Sequence, residues 1–189
     1  MASDTRERLV RTTGRLLRQQ GYAATGLNQI AAEAAAPKGS MYFHFPGGKE
    51  ELAAAALDRF AGRITARMAD DLARSTASEA IARFFDAYVT HMAKTGFLEG
   101  CAVATVALDA ASSHELLFAA TSRALRTWVD LLADALVAEG RPADEAHGLA
   151  TLVIAAIEGT VVMAKGQRSA EPIEAARDAL VRLLAPPVP

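Results

Sequence analysis

Pro37 sets the tightest limit on how this chain folds between Thr25 and Lys49, TGLNQIAAEAAAPKGSMYFHFPGGK. Proline is tolerated only in the first turn of a helix, so one helix must stop before it and another start there. Ahead of it, Leu27, Ile30, Ala31 and Ala34 recur at spacings of three and four, the signature of one apolar helical face. Thr25 precedes that face and is placed to cap it. Ala34-Ala35-Ala36 supplies small side chains where two helices must cross closely. Beyond Pro37, Met41 and Phe45 point inward at i, i+4, which leaves Lys38, Ser40, Tyr42 and His44 facing elsewhere. The stretch therefore reads as a helix-turn-helix whose second helix offers a cation, a hydroxyl, a phenol and an imidazole, a surface suited to a DNA groove.

Further helices are expected on both sides. Residues 4–20 form the first, with arginines 8, 11, 15 and 18 along a solvated face, and Gly21 ends it. Lys49 opens a long helix to about Arg74, whose free first-turn amides suit a phosphate. Helices then follow at about 79–95, 102–111, 114–139, 143–166 and 172–184. Strand-forming runs are nearly absent, so the expected fold is all-α: a three-helix head, residues 1–48, joined by a long helix to a helical-bundle body, residues 49–189.

Charge divides along the same line. Residues 1–49 carry seven Lys/Arg against three acids, net +4, and the remainder carries thirteen against nineteen, net −6. A basic head on an acidic body suits a chain that meets a polyanion with one end only. The single cysteine, Cys101, rules out an internal disulfide framework and agrees with a reducing cytoplasm. No uninterrupted apolar run reaches the ~20 residues of a membrane helix, so no membrane partner is expected. The nearest, Gly148 to Lys165, contains Glu158 and reads as a core or interface helix.

The block GYAAT..IAAEAAAPKGSMYFHFPGGKEEL resembles the N-terminal domain of TetR-family transcriptional regulators, over about the first quarter of the chain. EGCAVATVALDAAS resembles a segment of that family's LmrA/YxaF-like branch. Ala36-Pro37 replaces the commoner Gly-Val-Ser type of turn, and Phe43 stands where a more polar aromatic or a histidine is frequent. The resemblance implies contact roles residue by residue. Thr25 would donate to a phosphate, Lys38 would reach a base edge, Gly39 would permit close approach, and Ser40 would meet a phosphate or a base. Tyr42, His44 and Lys49 would clamp phosphates and fix register.

One such head makes few contacts, so a homodimer is expected, its heads about 34 Å apart on a near-palindromic duplex. The last two helices are the expected pairing surface, through Leu152, Ile154, Val161, Ile173, Leu180 and Leu184. The penultimate helix is apolar nearly all round and must be covered on every side. The resemblance also implies a body cavity for a small apolar or aromatic effector, for which Phe85, Tyr88, Met92, Phe118, Trp128, Ile157 and Met163 are the candidates. The expected function is a repressor released when the effector favours a state with its heads separated past groove spacing. The alternative is a DNA-bound scaffold that recruits a protein partner and has no effector pocket. Catalysis is not expected, and neither a metal nor a cofactor is implied. His91, Cys101, Asp109 and His114 lack ligand spacing, and no GxSxG or phosphate-cradling loop is present.

Overall fold

The computed structural model describes residues 2–185, with side chains from Asp4 onward apart from that of Lys38. Among these residues the fold is all-α, as expected. The elements are α1 (Ala2–Gln20), α2 (Leu27–Glu33), α3 (Lys38–His44), α4 (Gly48–Arg74), α5 (Ala77–Lys94), α6 (Ala102–Asp109), a 3-10 turn (Ala111–Ser113), α7 (Glu115–Ala138), α8 (Ala143–Gln167) and α9 (Glu171–Leu184).

The helix ends follow local chemistry. Gly21 closes α1 at φ +78° and Gly140 follows α7 at φ +95°, a left-handed conformation that glycine adopts without a Cβ clash. Thr76 caps α5 in a reciprocal box, accepting from the Glu79 amide while the Glu79 carboxylate accepts from the Thr76 amide. Pro142 stands immediately before α8.

Met1–Arg63 with Cys101–Ala124 forms one compact unit, and Ile64–Gly100 with Leu125–Pro189 forms another. These compact units do not follow chain order: the first runs past residue 48 and also takes in α6. Its core gathers Leu9, Leu16 and Leu17 of α1, Ile30 of α2, Phe45, and Leu52 and Leu57 of α4, all almost fully buried. Within it α1 packs on α2, α3 and α6. In the second unit α9 packs on α5 and on α8. Arg141 fastens the end of α9 there, donating to the Leu183 and Ala185 carbonyls at 3.1 and 2.9 Å, two acceptors a helix terminus would otherwise leave open.

Side-chain placement in α8 and α9 corrects the expected pairing set. Ile154, Val161, Ile173, Leu180 and Leu184 are buried within the chain itself. Leu152 alone of the six is well exposed, at 50%. The outward stripe of α8 is made of Gly148, Leu152, Ala155, Gly159, Val162 and Gly166, at alternating spacings of four and three. A Cβ at Gly148, Gly159 or Gly166 would meet nothing within 4 Å, so nothing within the protomer demands glycine there. Helix α8 is long and apolar enough to cross a membrane, by length and composition. One face of it, with Val153, Ile157 and Val161, is buried in the chain's own core, while Leu152, Val162 and Met163 are exposed.

The expected effector set is also divided. Phe118 belongs to the first unit and is half exposed, and Met163 turns outward on α8 at 51% exposure. Phe85, Met92, Trp128 and Ile157 are buried in the second unit, with Tyr88 half-buried. The Trp128 indole N–H is already used, donating to the Thr65 hydroxyl at 3.1 Å. A groove of about 440 Å³ in that unit is lined instead by Arg67, Arg83, Asp86, Thr90, His91 and Lys94.

Candidate nucleic-acid interface

Helix α3 has only seven residues, too few to be stable alone in water, so its shape depends on what it is fastened to. Met41 and Phe45 anchor it, at 4% and 1% exposure. None of the other described side chains of that helix is buried. Tyr42 is 60% exposed and Phe43 77%, while Ser40 and His44 are half-buried. Phe43 meets the edge of the His44 ring at 5.0 Å between centroids. Gly39 is exposed and a Cβ there would touch nothing, so the space beside it is open. The Ser40 hydroxyl donates to the Pro37 carbonyl at 2.5 Å, which leaves its oxygen as an acceptor. The Lys38 side chain lies outside the described residues.

Two expected contacts need correction. Thr25 does not cap α2. Gly26 holds that position without a side-chain bond, and Thr25 is 1% exposed. Its hydroxyl donates to the Gly21 carbonyl at 2.5 Å and its amide donates to the Tyr22 carbonyl. Both donors of Thr25 are committed to closing the α1–α2 turn and face away from solvent. Lys49 is turned inward as well, its ammonium 4.0 Å from the centroid of the Tyr22 ring. Burial pushes the Lys49 amine below its usual range, a shift the Asp109 carboxylate partly opposes. The first-turn acids of α4 are engaged too: Glu51 accepts from the Gly47 amide at 2.7 Å, and Glu50 from the Leu116 amide at 3.0 Å.

The arginines of α1 do more than sit in solvent. The Arg6 guanidinium lies over the Phe45 ring at 5.1 Å and Arg18 over Phe60 at 5.8 Å. Arg15 pairs with Glu33 of α2. That guanidinium, with the Gln29 amide, holds the Glu33 carboxyl below the usual carboxylate range. Arg8 donates to the Ala34 carbonyl at 3.0 Å and reaches that of Ala35 at 3.5 Å. It thereby covers open carbonyls at the end of α2, where the chain turns toward α3. Periodicity alone read this stripe as solvated, because helix–helix partners far apart in sequence leave no local signal.

The turn between α2 and α3 carries strain. Ala35 sits at φ +48°, a left-handed conformation in which its Cβ crowds the following carbonyl, and the Ala36 amide donates back to the Ala31 carbonyl at 3.0 Å. Glycine would relieve this. Ala35→Gly is expected to raise stability by about 0.5–1 kcal/mol, read as a higher urea midpoint at unchanged slope. An unchanged or lower midpoint would show that the turn is not strained.

Similarity searches place this geometry among known proteins. The family model of bacterial regulatory proteins of the tetR family matches residues 9–56, and that of the LmrA/YxaF-like transcriptional regulator C-terminal domain matches residues 77–179. The HTH-type transcriptional regulator LmrA of Bacillus subtilis is 34% identical over 171 residues, covering 90% of this chain and 91% of its own length. The reduced form of Escherichia coli NemR superposes with a TM-score of 0.83 at 26% identity, covering 98% of this chain and 100% of that one. A TetR regulator from Legionella pneumophila superposes at 0.86 with 24% identity, covering 94% of this chain and 96% of its own, and bears on the fold alone. These relatives are regulators rather than enzymes, in keeping with the missing catalytic motifs. With both parts of the chain matched in order and relatives aligned almost end to end, the chain belongs to the TetR family of transcriptional regulators and carries an LmrA/YxaF-like C-terminal domain.

Proposed function

We propose that this protein is a homodimeric, cytoplasmic repressor that lays α3 of each protomer into the major groove of a near-palindromic duplex. The observation that carries the reading is α3 itself: two buried anchors hold a short helix whose Tyr42 and Phe43 stand out in water. Exposed aromatics on a fastened helix are poor for solubility and well placed for a groove. In this reading Lys38 reaches a base edge, and open space at Gly39 admits the duplex closely. Ser40 accepts from a base or meets a phosphate, Phe43 packs on an apolar base edge, and Tyr42 and His44 hold phosphates. Lys49 supports the head through the Tyr22 ring rather than clamping a phosphate. The head, residues 1–48, reads DNA, and residues 49–189 pair protomers and respond to a small apolar or aromatic effector. The repressor name of NemR supports the sign of regulation.

Pairing is assigned to the outward stripe of α8 from Gly148 to Gly166 and to Leu183 of α9, which is 44% exposed. Small residues at four of its six positions, Gly148, Ala155, Gly159 and Gly166, let a partner backbone approach closely. Selection of duplexes from a random pool tests the DNA reading and reports half-site spacing. Half-sites about one helical turn apart are expected. Lys38→Ala should then relax preference at one position of the selected site. A base-contact loss costs about 1–3 kcal/mol there, whereas a phosphate-contact loss weakens all duplexes alike. Failure to enrich any sequence, at low salt and with a dimer present, rejects the reading. A thermal-shift screen with planar apolar compounds tests the effector: stabilisation with release of DNA supports it, and uniform silence favours a DNA-bound scaffold that recruits a protein.

A further inference from the structure

The α1–α2 turn, on which the helix-turn-helix is mounted, is gripped by a side chain 87 residues away. The Asp109 carboxylate, at the last position of α6, accepts from the Tyr22 amide at 2.8 Å and the Ala23 amide at 3.1 Å with one oxygen. Gly21 is fitted to this approach. A Cβ there would stand 2.5 Å from the same carboxylate oxygen and 3.3 Å from the Thr105 methyl group. The turn amides lie past the end of α1, outside any helical ladder, and a carboxylate receiving two N–H groups forms the stronger, charge-assisted kind of bond.

Neighbouring contacts converge on the same turn. The Tyr22 ring is met edge-on by His114 at 4.8 Å and face-on by the Lys49 ammonium. Burial first, and then the Glu50 and Asp109 carboxylates, push the Tyr22 phenol above its usual range. Glu50 bonds the first turn of α7. The stretch from Asp109 to Leu116 thus holds both the chain entering α2 and the start of α4.

We infer that Asp109 is a positioning residue for DNA reading: by holding the Tyr22 and Ala23 amides it fixes the entry of α2 and, through α2, the angle at which α3 is presented. It touches no DNA. This rests on the DNA reading above, and its failure is separable from that reading because the wild-type protein is measured first.

The test uses the full-length protein, the duplex that wild type selects from a random pool, and a scrambled duplex of equal length. Asp109→Ala should bind the selected duplex about tenfold more weakly while binding the scrambled one as wild type does, because phosphate attraction is unchanged. Asp109→Asn, whose amide oxygen still accepts from both N–H groups, should recover most of that affinity. In Asp109→Ala the Tyr22 and Ala23 amide proton resonances should move upfield and exchange faster. Should Asp109→Ala not fold, Asp109→Ser, one atom too short to reach both amides, carries the same expected selective loss. Unchanged affinity of either variant for the selected duplex, with the two amide signals shifted, overturns the inference. So does equal weakening on both duplexes, which marks a merely structural loss. Absence of duplex binding by wild type rejects the DNA reading instead.

Discussion

Arginine in place of Gly159 is expected to turn a dimer into a monomer that folds normally and no longer holds its operator. Gly159 is exposed in the middle of the α8 stripe, and a side chain there meets nothing within the protomer. The variant therefore leaves the chain's own core intact. Across a two-fold axis the same guanidinium would meet its own copy in an apolar contact, so two like charges would have to be desolvated together. Light scattering behind a sizing column should give half the wild-type mass. Affinity for a two-site duplex should fall by roughly 100-fold or more, since each head then binds without the other's effective concentration. Thermal melting of the separated protomer also falls, because mass action no longer adds to its stability. A Gly159→Arg protein that remains dimeric and binds as before would place the interface elsewhere. Leu152→Arg, about two turns away at 50% exposure, repeats the test on the same stripe.

Truncating Phe45 is expected to be the most damaging single change in the head. Its ring is 1% exposed, closes the end of α3 and has the Arg6 guanidinium stacked on it. Phe45→Ala removes a large buried side chain and leaves a cavity, a change worth about 3–5 kcal/mol. That is a sizeable share of the ~5–15 kcal/mol by which domains are stable. Because α3 has just two deep anchors, the seven-residue helix should fray, and duplex binding should fall further than melting temperature implies. Urea unfolding followed by circular dichroism measures the first effect and a gel-shift titration the second. The dimer should persist, since no residue of the α8 stripe is touched. A loss of under about 1 kcal/mol would mean that the site collapses around the gap and that Phe45 is no anchor.

That Gly39 and Tyr42 are exposed and Ser40 and His44 half-buried was legible from Met41 and Phe45, because a helix with those two inside leaves the others facing elsewhere. Thr25 and Lys49 were misread for one reason. Each has an ordinary surface role available locally, cap or clamp, and each is diverted by a neighbour that sequence spacing does not reveal: Gly21 and Tyr22. Asp109 was read only as lacking ligand spacing with His91, Cys101 and His114, since a partner 87 residues away leaves no periodic trace.

In α8 the pattern established that the helix is apolar on all sides and must be covered. It did not say by what. Packing against the rest of the chain decided the matter: Val153, Ile157 and Val161 fill its interior with Ala146, Ala150 and Ala164, while Leu152, Val162 and Met163 are left outside with Gly148, Ala155 and Gly159. The sequence by itself determined the helices, their ends and the helix-turn-helix, because capping, proline geometry and periodicity are local. Only the tertiary structure decided which face of each helix is turned inward, and which charges are already paired, because those depend on volume and partners brought together from distant parts of the chain.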